Sequence, residues 1–291
     1  MGRISCVCLD GTETALYSTL QAIASQQCNV TVEVADAIQT LVQNLLSSGS
    51  LSSTALVALS RLQYLIASNI QILSSFPSSI TTPFISHLLS NIDQLSQNFL
   101  SNLMSSDDGT LRRTVATLMR AAELYLLAFS RTLAFDTGAT FAFDTIAVQS
   151  LATSIVRVRS ASLSDRSLFT FPRYSDVQIG AFSSQSAGDT LTLDVSALSE
   201  LFTGNATTGS VSIASILFDS LASYLPTTVD YTGMNAQQVQ INSRAISAVV
   251  FPAVQQQSSA FVEVALSLRS PLNNTNQSVY CCSYQFTNEY S

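Results

Sequence analysis

The sequence predicts an α+β chain, with an N-terminal helical bundle subdomain followed by a C-terminal antiparallel β-sandwich subdomain. Three observations predict it. Apolar residues recur at helical spacing up to about residue 135. Beyond that point they alternate at strand spacing. The last such run, Val279-Tyr280-Cys281-Cys282-Ser283-Tyr284-Gln285-Phe286, reads as a strand that carries two adjacent cysteines. On this reading residues 1–29 are a leader or the end of a preceding module, 30–135 the helical subdomain, and 136–291 the sandwich.

The elements follow in order. Asp10-Gly11 is a turn signal, and Ala15 to Ser25 reads as a short helix. Val34, Ile38, Leu41, Val42, Leu45 and Leu46 lie on one helical stripe, stopped by Ser47-Ser48-Gly49-Ser50. Leu56, Leu59, Leu62, Leu65 and Ile66 make a second stripe, interrupted near Phe76-Pro77. A third runs from Ile85 through Leu88, Leu89, Ile92, Leu95 and Phe99 to Leu103, and is expected to start after Thr82-Pro83. Ser106 to Thr110 reads as a turn with capping side chains, ahead of a fourth stripe from Leu111 to Leu133. Short polar connections between long stripes place helices antiparallel, as in a small bundle. Asp136-Thr137-Gly138 ends the last helix. Strands are expected at Ala142 to Val148, at Val156 and Val158, at Leu191 to Val195, at Ile213 to Leu217, at Ala245 to Phe251, at Val262 to Leu268 and at Val279 to Phe286. Arg157 and Arg159 alternate with Val156 and Val158, which predicts a solvated face of charge opposite a core face.

Composition narrows the function classes. The chain is 47% hydrophobic with mean hydropathy +0.32, enough for a large core. Charged residues are only 11%, so solubility leans on Ser, Thr, Asn and Gln. All twelve basic residues are Arg, none clustered beyond Arg112-Arg113, and the net charge is −7. Counterion release from nucleic acid needs basic clusters, so no nucleic-acid partner is expected. Four sequons, at Asn29, Asn205, Asn273 and Asn276, are candidate N-glycan sites. The start from Met1 to Cys6 leads into no apolar signal region, and no run of 18 apolar residues exists. A glycoprotein-like chain without either feature is expected to be a fragment of a longer one.

The residues that do chemistry are few. His87 is the sole histidine, on a predicted helix, so no nucleophile–base–oxyanion set assembles and no catalytic residue is assigned. Five cysteines stand at 6, 8, 28, 281 and 282, an odd number. Cys6-Val7-Cys8 has no second Cys/His cluster to complete a metal site, and neither metal nor cofactor is expected. In a strand, Cys281 and Cys282 would point to opposite sheet faces, one to the core and one toward a partner.

The order of elements resembles the GAIN domain, the autoproteolysis-inducing module beside the membrane in adhesion G-protein-coupled receptors and polycystin-like proteins. The resemblance runs over about residues 30–291. Asn29 to Leu46 is similar to the opening of the family's helical subdomain, Phe143 to Val148 to its first strands, and Asp194 to Leu198 with Ile213 to Leu217 to the next portion. The most specific stretch joins Ile246 to Phe251, Phe261 to Leu268 and Tyr280 to Phe286, which in the family lead to a Cys-aromatic motif at the proteolysis site. The departures are the missing Trp and the missing second Cys pair and His-Leu-Thr/Ser tripeptide. The resemblance therefore implies a non-enzymatic extracellular module that does not cleave itself. It implies disulfide candidates Cys281 and Cys282 with a partner further on, and a final strand and transmembrane domain supplied by a parent receptor. It also implies a place on the extracellular face of the plasma membrane and an extracellular protein ligand that the residues do not identify. The alternative is a secreted or surface adhesion protein of the same architecture without a receptor domain.

Overall fold

The computed structural model describes residues 7, 11–69, 78–98, 100–103, 108–139, 141–159, 168–171, 189–194, 209–225, 228–229, 237–238, 243–251 and 262–266. Within them the chain is α+β, helices first and antiparallel strands after.

Helix α1 spans Glu13–Ala24. Its N-cap is Thr12, whose hydroxyl oxygen accepts the Ala15 N–H at 3.2 Å. The helix is turned off by Gln26 at φ 57, a left-handed conformation usually left to glycine. The Gln27 and Cys28 N–H groups then return to the Ala22 carbonyl, which carries Cys28 into the core. Helix α2 (Val32–Ser47) is capped in the same way by Thr31, which accepts the Val34 N–H at 3.3 Å. All six residues of its expected stripe are buried. Helix α3 (Ser53–Asn69) is tied back to α1, because the Ser52 N–H and hydroxyl both donate to the Glu13 carboxylate.

Two expectations about helix starts need correction. Helix α4 spans Ser78–Asn98 and holds Pro83 inside it. The sequence places the helix start after Pro83, yet this proline lies in the second turn, where it removes the single N–H that would bond the Ser79 carbonyl. The apolar stripe beyond it, with Ile85, Leu88, Leu89 and Ile92 fully buried, outweighs that loss. A 3₁₀ turn at Leu100–Leu103 follows instead of further α-helix. Helix α5 spans Asp108–Ser130, so Gly109 and Thr110 are helical rather than in a turn. The Thr114 hydroxyl donates to the Thr110 carbonyl, a bond along the helix surface.

The strands are β1 (Phe141–Val148), β2 (Leu151–Arg159), β3 (Leu168–Phe171), β4 (Thr190–Asp194), β5 (Ser210–Phe218), β6 (Thr228–Val229), β7 (Gln237–Gln238), β8 (Ala245–Phe251) and β9 (Val262–Ala265). Every pairing is antiparallel. The first sheet has the order β1-β2-β5-β8, the second β3-β4-β9, and β6 and β7 form a separate ribbon. The expected strand from Val279 to Phe286 lies outside the described residues.

The four-stranded sheet is the middle of three layers. Alternate residues of a strand point to opposite faces. Leu151 and Ile155 of β2, with Ala214, Ile216 and Phe218 of β5, share one core with the helices, in which α5 lies closest to the sheet. Ala152, Val156 and Val158 of β2, with Val211, Ile213 and Leu217 of β5, share a second core with Phe169, Phe171, Leu191 and Leu193 of the smaller sheet. That second core is the sandwich interior.

Candidate functional site

The polar side chains that join the three layers form two seams. At the first, between helices and middle sheet, Asp93 of α4 is buried and accepts three bonds. Its Oδ2 takes the Ser150 N–H at 3.1 Å and the Gln97 side-chain amide at 3.0 Å, and its Oδ1 takes the Ser150 hydroxyl. Ser150 sits in the tight turn between β1 and β2, and the Ser220 hydroxyl and the Asp219 N–H reach it from the end of β5. One helix thus holds a hairpin tip and the end of the neighbouring strand together. Further along, Glu123 of α5 accepts the Ser247 hydroxyl of β8 at 2.5 Å and pairs with Arg120 at 2.8 Å.

At the same seam Arg157 departs from the solvated face expected of the β2 arginines and is half-buried, whereas Arg159 is exposed. They share the helix-facing side of β2 with Ile155. Arg157 donates through Nη1 to the carbonyls of Arg131 and Leu133, at 3.2 and 2.9 Å, and through Nε to the Ser210 hydroxyl at 3.0 Å. Burial holds its guanidinium below the usual Arg range, and the charge of Arg159 adds to that. Arg159 donates to the Ala139 carbonyl at 2.9 Å. Alternation identifies a face, but it does not say whether that face is covered, and at Arg157 the end of α5 and its connection to β1 cover it in part.

The second seam joins the two sheets. Arg244, just before β8, donates to Asp189, just before β4, at 2.7 Å and to Asp219, just after β5, at 3.1 Å. Asp189 has no exposed surface. A buried carboxylate of this kind is tolerated because a guanidinium and its hydrogen bonds meet it. None of these three residues stood out in the sequence, although an isolated Arg directly before the apolar run Ala245 to Phe251 is a usable sign of a buried partner.

Of the candidate glycan and disulfide residues, only Asn29 is among the described ones. Asn29 is exposed between α1 and α2, two residues before the capping Thr31. Asn205, Asn273, Asn276, Cys281 and Cys282 lie outside the described residues, as do Asp107, Asp165 and Asp176. Cys28, not among the expected disulfide candidates, is disulfide-bonded. His87 is on the exposed side of α4. Among the described residues no group of three His, Cys, Asp or Glu side chains could hold a metal ion, and no helix is long and apolar enough to cross a membrane.

Among the described residues, β9 ends the smaller sheet and carries one of its partly exposed apolar side chains. Val264 of β9 pairs with Leu191 of β4, so the two share a face. Leu191 is 4% exposed and Val264 is 38% exposed, which leaves an inward-facing side chain open at the edge of the sandwich.

A family model described as "GPS: GAIN subdomain B" matches residues 146–291, half of the chain. The solved full extracellular region of zebrafish Gpr126/Adgrg6 overlaps the chain with a TM-score of 0.47 at 14% sequence identity. That overlap covers 90% of this chain and 31% of the zebrafish one. No curated protein matches the chain.

Proposed function

The chain belongs to the GAIN family, through subdomain B over residues 146–291, and from that premise we propose that it is a non-enzymatic extracellular module of an adhesion receptor. The carrying observation is the family match itself, whose span takes in the strands of both sheets from Ile146 onward. In this role the module cradles the last β-strand of the extracellular region and passes adhesion signals to a membrane domain. The partly exposed Val264 supports the reading, because among the described residues β9 ends its sheet and an apolar segment laid along it would cover that side chain. Asn29, Asn205, Asn273 and Asn276 carry N-glycans on this proposal, and Cys281 or Cys282 pairs with a cysteine further along the parent.

On this proposal no residue of this chain acts as a catalyst. His87, the one histidine of the sequence, is on the exposed side of α4. The test uses the full-length parent gene with an epitope inserted at the exposed Gly49 bend between α2 and α3. Staining of non-permeabilised cells is expected, together with a drop in apparent mass on treatment with an N-glycosidase. Staining seen only after permeabilisation, with no change of mass, removes the extracellular reading.

A further inference from the structure

Helix α5 ends at Ser130, and the chain must then travel to β1 at Phe141. This stretch is the covalent joint between helical layer and middle sheet. Its own backbone bonding is sparse. The Arg131 and Thr132 N–H groups return to Ala128 and Phe129, and Ala139 closes a turn on Asp136. The last turn of α5 has no basic residue to meet the negative end of its dipole.

The carbonyls of the stretch beyond the helix are met from the sheet. The Arg131, Leu133 and Ala139 oxygens all accept guanidinium N–H groups, the first two from Arg157 and the third from Arg159. Both guanidiniums also approach the Phe135 ring in the middle of the stretch, at 5.3 Å for Arg157 and 4.6 Å for Arg159. Arg157 is fixed on its far side by the Ser210 hydroxyl of β5. One planar group thereby links helix end, joint and two strands, which a lysine ammonium could not do with the same fork.

We propose that Arg157 and Arg159 form a latch on the segment from Arg131 to Ala139, so that the helical layer and the middle sheet move as one body instead of flexing about their joint. The latch is independent of the receptor reading, because it concerns only how two layers of this chain are coupled.

Hydrogen exchange read by mass spectrometry on the intact chain tests it, with Arg157→Ala, Arg157→Lys and Arg159→Gln. Loss of hydrogen bonds to a charged donor is expected to speed exchange in peptides covering residues 131–140 about tenfold or more in Arg157→Ala, with α2 peptides unchanged. Arg157→Lys should recover only part of the protection. Arg159→Gln, at an exposed position, should loosen only the end of the stretch near Ala139. It also carries the test should Arg157→Ala fail to fold. Unchanged exchange over residues 131–140 in the folded variants overturns the latch. So does an increase of equal ratio in every peptide, which would mark a general loss of stability instead.

Discussion

At the scale of single residues, Asp144 shows how a side chain is placed at a cost. It lies on the helix-facing side of β1, half-buried, and burial raises its carboxyl above the ordinary value of 3.8, against the opposing pull of the Thr145 N–H and the Thr82 hydroxyl. The folded state therefore binds this proton more tightly than the unfolded chain does. Its contribution to stability must fall as pH rises from the ordinary value through the raised one, and the penalty is complete at neutral pH. Asp144→Asn keeps an oxygen for the Thr145 N–H, bonded at 2.7 Å, and abolishes the charge. The variant is expected to be more stable than the parent at pH 7, by less than about 1 kcal/mol once solvent screening is counted. The two should converge below pH 3.8. Thermal melts between pH 3 and 7 read this directly, and a gap that widens on acidification contradicts it.

At the scale of elements, the pairing of α2 with α4 rests on an apolar seam with one amide pair inside it. The Asn91 side-chain amide donates to the Gln39 side-chain oxygen, both residues being buried. The Gln39 Nε2 and Asn91 Oδ1 atoms find no partner. Replacing one member by Leu strands the other in the core and is expected to cost about 1–3 kcal/mol. Replacing both removes the need for a bond, so the double variant should cost less than the two singles together, by about 0.5 kcal/mol or more. Chemical denaturation of the four proteins closes the cycle, and simple additivity would mean that the two amides do not interact.

Elements also differ in how clearly the sequence announces them. Helix α2 was legible because its apolar residues keep a single stripe and polar residues fill the rest. Strand β4 was legible for the matching reason, with Leu191 and Leu193 in and Thr190 and Thr192 half out. The first half of β2 was not legible, since Leu151 to Val156 is buried on both sides and shows no alternation. Strand β3 is four residues long, too short for a period to emerge. The seams were hidden for another reason. Asp93, Arg157 and Arg244 are polar residues whose partners stand far away in sequence, and local pattern holds no record of such contacts.

At the scale of the whole molecule, the change of rhythm near residue 135 divides the chain but not its interior. Ile146, Leu151, Ile155, Ala214, Ile216 and Phe218 belong to the same core as the helices. A fragment of residues 136–291 would present that face to water. It is expected to aggregate or to bind hydrophobic dyes without a cooperative melt, whereas the intact chain should unfold in one transition seen alike by near- and far-UV circular dichroism. A soluble fragment with a sharp melt of its own would show that the second core suffices.

The double covering of the middle sheet reaches beyond stability. On β5, seven successive side chains from Ser212 to Phe218 are buried, odd positions turned toward one interior and even positions toward the other. An ordinary surface strand can drift at every second residue, but this one has no free side on which to drift. Descendants of this sequence should thus diversify at helix exteriors and loops while this strand stays nearly fixed.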